Sequence, residues 1–166
     1  MSYYNGVAGI YFWKILKTIA AFGQLKTKSV LDFGCGEGNL KKIAPNIINY
    51  DSVSSLSDID DWSKINFDTL VANEVFYEFR ADQLRQLLLQ LREKNPRLEL
   101  IVGISRQGFV NKLGAFFLRR DAYNKAQLSP NDELNVLKEF CDVIDKTAVW
   151  GLCDIYKMTF KNIETL

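Results

Sequence analysis

Residues 30–40 of this 166-residue chain read VLDFGCGEGNL, which is an apolar run, an acid and then alternating glycines. Asp32 precedes Gly34, Gly36 and Gly38. Glycine accepts a positive φ and has no Cβ, so a ligand can approach the backbone closely there. Free N–H groups at the start of a following helix favour a negative ligand group. The segment therefore predicts a strand, a glycine turn and a helix that bind a nucleotide-type ligand.

The glycine spacing narrows the kind of nucleotide. A dinucleotide fold needs G-x-G-x-x-G, and that pattern fails here at Asn39. The spacing D-x-G-x-G-x-G instead resembles motif I of the class I S-adenosylmethionine (SAM)-dependent methyltransferases. In that family the turn wraps the methionine part of the cofactor, and the acid helps to hold its amino group. The resemblance implies that the cofactor-binding residues of this segment are Asp32, Phe33, Gly34, Cys35, Gly36 and Gly38.

A second acid follows about 20 residues later, at the end of the next predicted strand. Asp51 is therefore suited to a bidentate bond with ribose hydroxyls, and the resemblance assigns the same role to it, with Ser52 beside it. Asp58 and Ile59 are the stand-ins for the acid and apolar residue that normally contact adenine. The alternative is that Asp58 belongs to a solvated loop together with Asp60 and Asp61.

Residues 67–79, FDTLVANEVFYEF, resemble the fourth strand of that family and the loop after it. This resemblance adds Asn73 and Glu74 to the predicted cofactor-binding residues. The histidine that is usual in this motif is replaced by Glu78, and the chain has no histidine. Glu74, Tyr77 and Glu78 are the acids and hydroxyl available as a general base, and none of them is assigned a catalytic role.

Strand-like and helix-like segments alternate along the chain, which predicts an α/β fold. We expect a Rossmann-like, mostly parallel sheet with helices on both faces and a C-terminal antiparallel hairpin, as in the methyltransferases. The chain is too short between the family's second and fourth strands for the usual helix, strand and helix. The predicted strands are 28–33, 47–50, 67–72, 98–104, 143–150 and 154–160, and the predicted helices are 10–24, 39–44, 81–94, 109–118 and one starting at Ser129.

Length and composition limit the function classes. We expect residues 1–166 to form one domain, with residues 1–27 as a helical lid or a packing segment. A net charge of +1 does not indicate binding to nucleic acid or to an anionic membrane. Three scattered cysteines and no histidine argue against a metal site and against disulfides, which fits a cytoplasmic protein. No transmembrane segment is evident.

Two regions keep two interpretations each. Arg106, Arg119 and Arg120 could hold an anionic acceptor and Phe109, Phe116 and Phe117 could line an apolar pocket, or all six could belong to a packed amphipathic helix. The aromatic residues near the N-terminus could cover the cofactor or face the core; they are Tyr3, Tyr4, Tyr11, Phe12 and Trp13.

The sequence thus predicts a SAM-dependent methyltransferase that acts on a small-molecule or lipid- or sugar-linked acceptor by direct in-line transfer. A different hypothesis is a catalytically inactive SAM-binding regulatory subunit of a heteromeric methyltransferase. An NAD-dependent oxidoreductase is disfavoured by Asn39 and by the absence of a second domain. A homodimer or a partner subunit that completes the adenine side stays open.

Overall fold

A single six-stranded sheet forms the centre of the molecule. The structure is a computed structural model that describes residues 6–106 and 126–162, with side chains from residue 9 onward. The strands are β1 Val30–Phe33, β2 Ile48–Tyr50, β3 Thr69–Asn73, β4 Glu99–Ser105, β5 Cys141–Val149 and β6 Cys153–Phe160, and the helices are α1 Gly6–Phe22, α2 Ala81–Lys94 and α3 Pro130–Phe140.

The strand order is β2-β1-β3-β4-β6-β5. Strands β1 to β4 pair in parallel, and β6 runs antiparallel to both β4 and β5. The turn between β5 and β6 contains Trp150 and Gly151, both with positive φ, as a tight hairpin turn requires. The predicted mostly parallel α/β sheet with a C-terminal antiparallel hairpin is confirmed.

The two faces of the sheet bury separate apolar clusters. One cluster contains Ile15 and Ile19 of α1, and the other contains Leu84 and Leu88 of α2 together with Leu137 of α3. Alternate strand residues supply the two clusters, as the period of two in a strand requires. Each fully buried side chain of this size stabilises the fold by about 1.5–3 kcal/mol.

Helix α1 lies on the sheet rather than apart from it. Tyr11, Phe12 and Trp13 are partly buried against the cluster on this face, and the Tyr11 ring stacks on Trp150 with centroids 5.6 Å apart. Tyr3 and Tyr4 lie outside the described residues, as do Phe109, Phe116, Phe117, Arg119 and Arg120. No helix in the described part of the chain is long and apolar enough to cross a membrane.

The short helix predicted over residues 39–44 is a 3-10 helix at Asn39–Lys42 rather than an α-helix. Gly38 is left-handed before this turn, and Pro45 disfavours a helical conformation at Ala44. Too few residues remain between these two limits for an α-helix. A turn this short has no macrodipole of consequence, so ligand binding at the glycine turn cannot depend on a helix dipole.

The connection from β2 to β3 is short, as the sequence predicts. It contains two 3-10 turns, Ser54–Leu56 and Trp62–Lys64, and no helix or strand. Strand β2 is therefore the edge of the sheet. Its outer backbone groups at Asn49 are covered by Asp58, whose N–H donates to the Asn49 carbonyl at 3.0 Å and whose carboxylate accepts from the Asn49 N–H at 2.8 Å.

Candidate functional site

The glycine turn follows the carboxyl end of β1 and is hydrogen-bonded to the carboxyl end of β2. The N–H groups of Gly34 and Cys35 both donate to the Tyr50 carbonyl, at 2.7 and 3.1 Å. Gly34, Gly36 and Gly38 have φ values of 73°, 52° and 66°. Side chains other than glycine are strained at these angles. The alternating glycines therefore produce a loop that bends back over the sheet edge.

The three glycines differ in what surrounds them. A Cβ on Gly34 would lie 2.5 Å from a Val75 methyl, and a Cβ on Gly38 would lie 2.6 Å from the Asn49 amide nitrogen. A Cβ on Gly36 would meet nothing within 4 Å. Gly34 and Gly38 are thus needed for packing within the chain, whereas Gly36 borders open space where a ligand can approach the backbone.

Asp51 lies directly against the glycine turn. Its Oδ2 accepts a hydrogen bond from the Gly36 N–H at 3.0 Å, and its Oδ1 accepts from the Val53 N–H at 2.9 Å. The Ser52 hydroxyl is 3.5 Å from the same Oδ1. A carboxylate has about four acceptor positions. Asp51 therefore keeps acceptor capacity for ligand hydroxyls while it holds the loop.

Asp32 is a buried carboxylate that pairs with no lysine or arginine in the described ranges 6–106 and 126–162. Its side chain is 5% exposed, and no hydrogen-bond donor from the described residues reaches it. Burial, and after it the charge of Asp51, raise the pKa of Asp32 from 3.8 to about 7. A cationic ligand group beside Asp32 would supply the missing positive charge. A carboxylate accepts hydrogen bonds, so Asp32 fits the amino group of a SAM-type cofactor.

Phe33 and Cys35, the remaining predicted residues of the glycine segment, contact other parts of the protein. Phe33 packs in an aromatic group with ring centroids 5.3 Å from Tyr50 and 6.2 Å from Phe76. The Cys35 thiol donates to the Leu56 carbonyl at 3.4 Å. Burial, and next to it the charge of Asp32, raise the pKa of Cys35 to about 12. Cys35 is therefore a neutral thiol, unsuited to act as a nucleophile.

Asp58 and Ile59 occupy the shortened region. The Asp58 carboxylate accepts from Lys41 Nζ at 2.6 Å and from the Asn49 N–H, and these hydrogen bonds lower its pKa, Lys41 first. Ile59 is partly buried against the core cluster under α2 and α3. In this structure the Asp58 carboxylate is thus engaged with β2 and with the turn before it.

We expect Asp58→Ala to destabilise the fold by about 1–2 kcal/mol, because it removes hydrogen bonds to a charged group at the sheet edge. Asp60→Ala, at an exposed position two residues away, is the control and should change the free energy of unfolding by less than about 0.5 kcal/mol. Urea unfolding of both variants measures the difference. Equal effects would show that Asp58 does not support β2.

Asn73 and Glu74 follow β3 at the same edge of the sheet. The Asn73 Oδ1 atom is buried and has no hydrogen-bond donor. Glu74 has a φ of +57°, and its N–H donates to the Gly103 carbonyl at 3.0 Å. The Ser105 hydroxyl donates to Glu74 Oε1. Burial raises the pKa of Glu74, and the Ser105 hydrogen bond opposes this rise.

Glu133 is a site residue that the sequence analysis missed. It lies in the first turn of α3, is 2% exposed, and its Oε1 has no hydrogen-bond donor. Burial, and after it the charge of Glu74, raise the pKa of Glu133 from 4.5 to about 8. The helical spacing of Glu133 with Val136, Leu137 and Phe140 places it on the apolar face. An acid at such a position is the signal that could have revealed it.

The remaining base candidates differ in position. The Tyr77 carbonyl accepts from the N–H groups of Gln127 and Leu128 at 2.8 and 3.1 Å, so this loop supports the segment before α3. Glu78 is exposed. Arg106 pairs with Asp154 at 2.7 Å. The buried acids of the described residues are thus Asp32, Glu133 and Asp154, of which Asp154 alone forms an ion pair, and Glu74 is half-buried.

Comparison with known proteins identifies the fold. No protein-family model and no curated protein matches the sequence. Protein PH0226 of Pyrococcus horikoshii has a similar structure, with a TM-score of 0.66 and 13% identity over 95% of this chain and 93% of the other. The N-methyltransferase NodS of Bradyrhizobium japonicum, solved with S-adenosyl-L-homocysteine (SAH), has a TM-score of 0.60 and 16% identity over 90% and 85%.

Magnesium protoporphyrin IX methyltransferase of Synechocystis, solved with bound SAH, has a TM-score of 0.58 and 14% identity over 95% of this chain and 88% of the other. The chain therefore has the fold of the class I SAM-dependent methyltransferases. Its six-stranded sheet is a shortened version of that fold, as the sequence resemblance implies.

Proposed function

We propose that this protein is a SAM-dependent methyltransferase that acts on a small molecule or on a lipid- or sugar-linked acceptor. The observation that carries the proposal is Asp32, a buried carboxylate that forms no ion pair with any of the residues that the structure describes. It lies beside Asp51 and beside the glycine turn. Of the three glycines in this turn, Gly36 is the one that borders open space. These features lie at the carboxyl ends of parallel strands, where ligands bind in open α/β sheets, and this position supports the proposal.

The residues at this edge have distinct roles in the proposal. Asp32 holds the cofactor's amino group, Asp51 accepts from the ribose hydroxyls, and the open backbone at Gly36 gives the ligand room. Bound SAM supplies a methyl group on a positively charged sulfur, which is already electrophilic. The protein's contribution is to orient the acceptor and exclude water, and orientation alone can be worth about 7–11 kcal/mol.

The similar structures do not identify the acceptor of this protein. NodS is an N-methyltransferase and the Synechocystis enzyme methylates a porphyrin, so this fold serves different acceptors. We also propose a cytoplasmic location, which agrees with the three unpaired cysteines. The shortened connection between β2 and β3 is where a second copy of the chain or a partner subunit would complete the adenine side.

Thermal unfolding with SAM, SAH and NAD tests the proposal. We expect SAM and SAH to raise the midpoint, since a ligand at 100 times its dissociation constant stabilises the folded state by about 2.7 kcal/mol. Asp51→Asn should lose most of this rise, and the control Asp60→Ala should keep it. The ligand-induced shift is compared within each variant, because Asp51 also holds the glycine turn.

The opposite results are equally clear. An unchanged midpoint with SAM and SAH would reject cofactor binding by this chain alone. A larger rise with NAD than with SAM would favour the oxidoreductase hypothesis instead.

A further inference from the structure

A second polar cluster lies beside the glycine turn. Glu74 follows β3, Ser105 ends β4 and Cys153 begins β6, where Ser105 and Cys153 are cross-strand neighbours. Because β6 is antiparallel to β4, its first residue lies at the same sheet edge as the last residues of β3 and β4. The Ser105 hydroxyl donates to Glu74, so these elements meet in one polar site.

Helix α3 carries Glu133 in its first turn and packs against β4 and against the 3-10 turn Phe76–Glu78, which follows Glu74 closely in the chain. Glu133 is 98% removed from solvent, and one of its carboxyl oxygens has no donor. Burial raises the pKa of Glu133 and that of Cys153, and after burial the charge of Glu74 raises both. No lysine or arginine of the described residues forms an ion pair with Glu74 or Glu133. Within the part of the chain that the structure describes, the cluster thus has an unpaired acceptor at Glu133 and no ion pair to either acid.

The cluster is next to the cofactor residues. Val75, which follows Glu74, is the side chain that a Cβ on Gly34 would strike. Glu74 has a left-handed backbone that costs about 1–2 kcal/mol in residues other than glycine. Strain of this kind concentrates at sites where a side chain must keep one position. The Gly103 carbonyl holds the Glu74 N–H in that conformation.

We propose that Glu74, Ser105 and Glu133 bind the methyl acceptor and that this acceptor carries a basic nitrogen. The inference rests on the proposed methyltransferase function and names its substrate class. An ammonium group donates hydrogen bonds to carboxylates and brings a positive charge that no described residue supplies to Glu74 or Glu133 by an ion pair. A hydroxyl acceptor donates one hydrogen bond and brings no charge.

An amine must lose a proton before its nitrogen can act as a nucleophile. The Glu74 carboxylate is placed to take it: an N–H bond breaks, an O–H bond forms, and the electron pair stays on nitrogen. Burial strengthens Glu74 as a base, because it raises the pKa of this side chain. Glu133 holds the second donor of the ammonium group.

Matched amine and alcohol probes test the acceptor class. Phenethylamine is compared with phenethyl alcohol, and butylamine with butanol, by their shift of the unfolding midpoint and by SAH formation in the presence of SAM. The variants are Glu133→Gln and, as a control, Glu78→Gln at an exposed position of the same loop as Glu74. Glu74→Gln replaces Glu133→Gln if that variant does not fold.

We expect the amines, but not the alcohols, to stabilise the wild type and Glu78→Gln. Glu133→Gln should bind the amines about tenfold or more weakly, because it loses a hydrogen bond to a charged group. The rise with SAM should be the same in all three proteins. Equal shifts with amine and alcohol, no shift with any probe while SAM binds, or an unchanged response in Glu133→Gln would overturn the proposal. Absence of a SAM response would instead reject the methyltransferase function.

Discussion

Asp32→Asn is expected to make the ligand-free protein more stable at pH 8 while it weakens SAM binding about tenfold or more. Asp32 has a pKa of about 7 in the folded protein and an ordinary value of 3.8. The folded state therefore binds more protons than the unfolded state between these values, so wild-type stability falls as pH rises through this window. Asparagine has no charge to bury. The gain at pH 8 is on the order of a few kcal/mol.

The same substitution removes the anion that we assign to the cofactor's amino group. A lost hydrogen bond between charged groups costs about 1.5–3 kcal/mol, which is roughly tenfold to a hundredfold in affinity. Urea unfolding at pH 4 and pH 8, together with calorimetric titration of SAM, measures both effects. The two proteins should differ little in stability at pH 4, where Asp32 is protonated in wild type.

Asp68→Asn is the matched control, since Asp68 is exposed and precedes β3 at the opposite edge of the sheet. It should change neither stability nor affinity appreciably. If Asp32→Asn were less stable than wild type at pH 8, the buried charge would have a partner that the structure does not contain. If it bound SAM normally, Asp32 would have no part in the cofactor site.

Gly34→Ala and Gly36→Ala are expected to differ in their main effect, which is on stability at Gly34 and on SAM binding at Gly36. Both glycines are left-handed, so alanine costs about 1–2 kcal/mol of backbone strain at either position. At Gly34 the new methyl group also strikes Val75, and such overpacking adds about 1–3 kcal/mol. At Gly36 the methyl group meets no protein atom, so it enters the space that we assign to the ligand.

We therefore expect Gly34→Ala to be the less stable variant by about 1–3 kcal/mol, and Gly36→Ala to bind SAM at least about tenfold more weakly while remaining folded. Urea unfolding and calorimetric titration measure these quantities in both variants. Equal stabilities would contradict the contact with Val75. Unchanged SAM affinity in Gly36→Ala would contradict the placement of the ligand at that position.

Local patterns in the sequence predict most of the fold because they determine local structure. The leucines of α2 recur at helical spacing, and Ser129 with Pro130 starts α3 through a side-chain cap to the Asp132 N–H at 3.2 Å. The residues between Gly38 and Pro45 carried helical spacing too, but a proline and a left-handed glycine limit that segment to a 3-10 turn.

The cofactor side could be predicted in part, and the acid cluster could not. Asp32 and Asp51 occur in a recognisable spacing, and the structure places both at the glycine turn. The pairing of Asp58 with Lys41 depends on side-chain geometry across two loops. Glu133 approaches Glu74 across about 60 residues of sequence, and only the packing of α3 on the sheet brings them together.

The inner position of β6 has a consequence for synthesis on the ribosome. Strand β4 is complete at residue 105, but its neighbour β6 begins about 50 residues later. At roughly 5–20 residues per second this interval lasts a few seconds. During that time the apolar edge of β4 has no strand to pair with, and unpaired edges promote aggregation. In nascent chains of this protein the β4 edge therefore waits for its partner strand until the final hairpin has been synthesised.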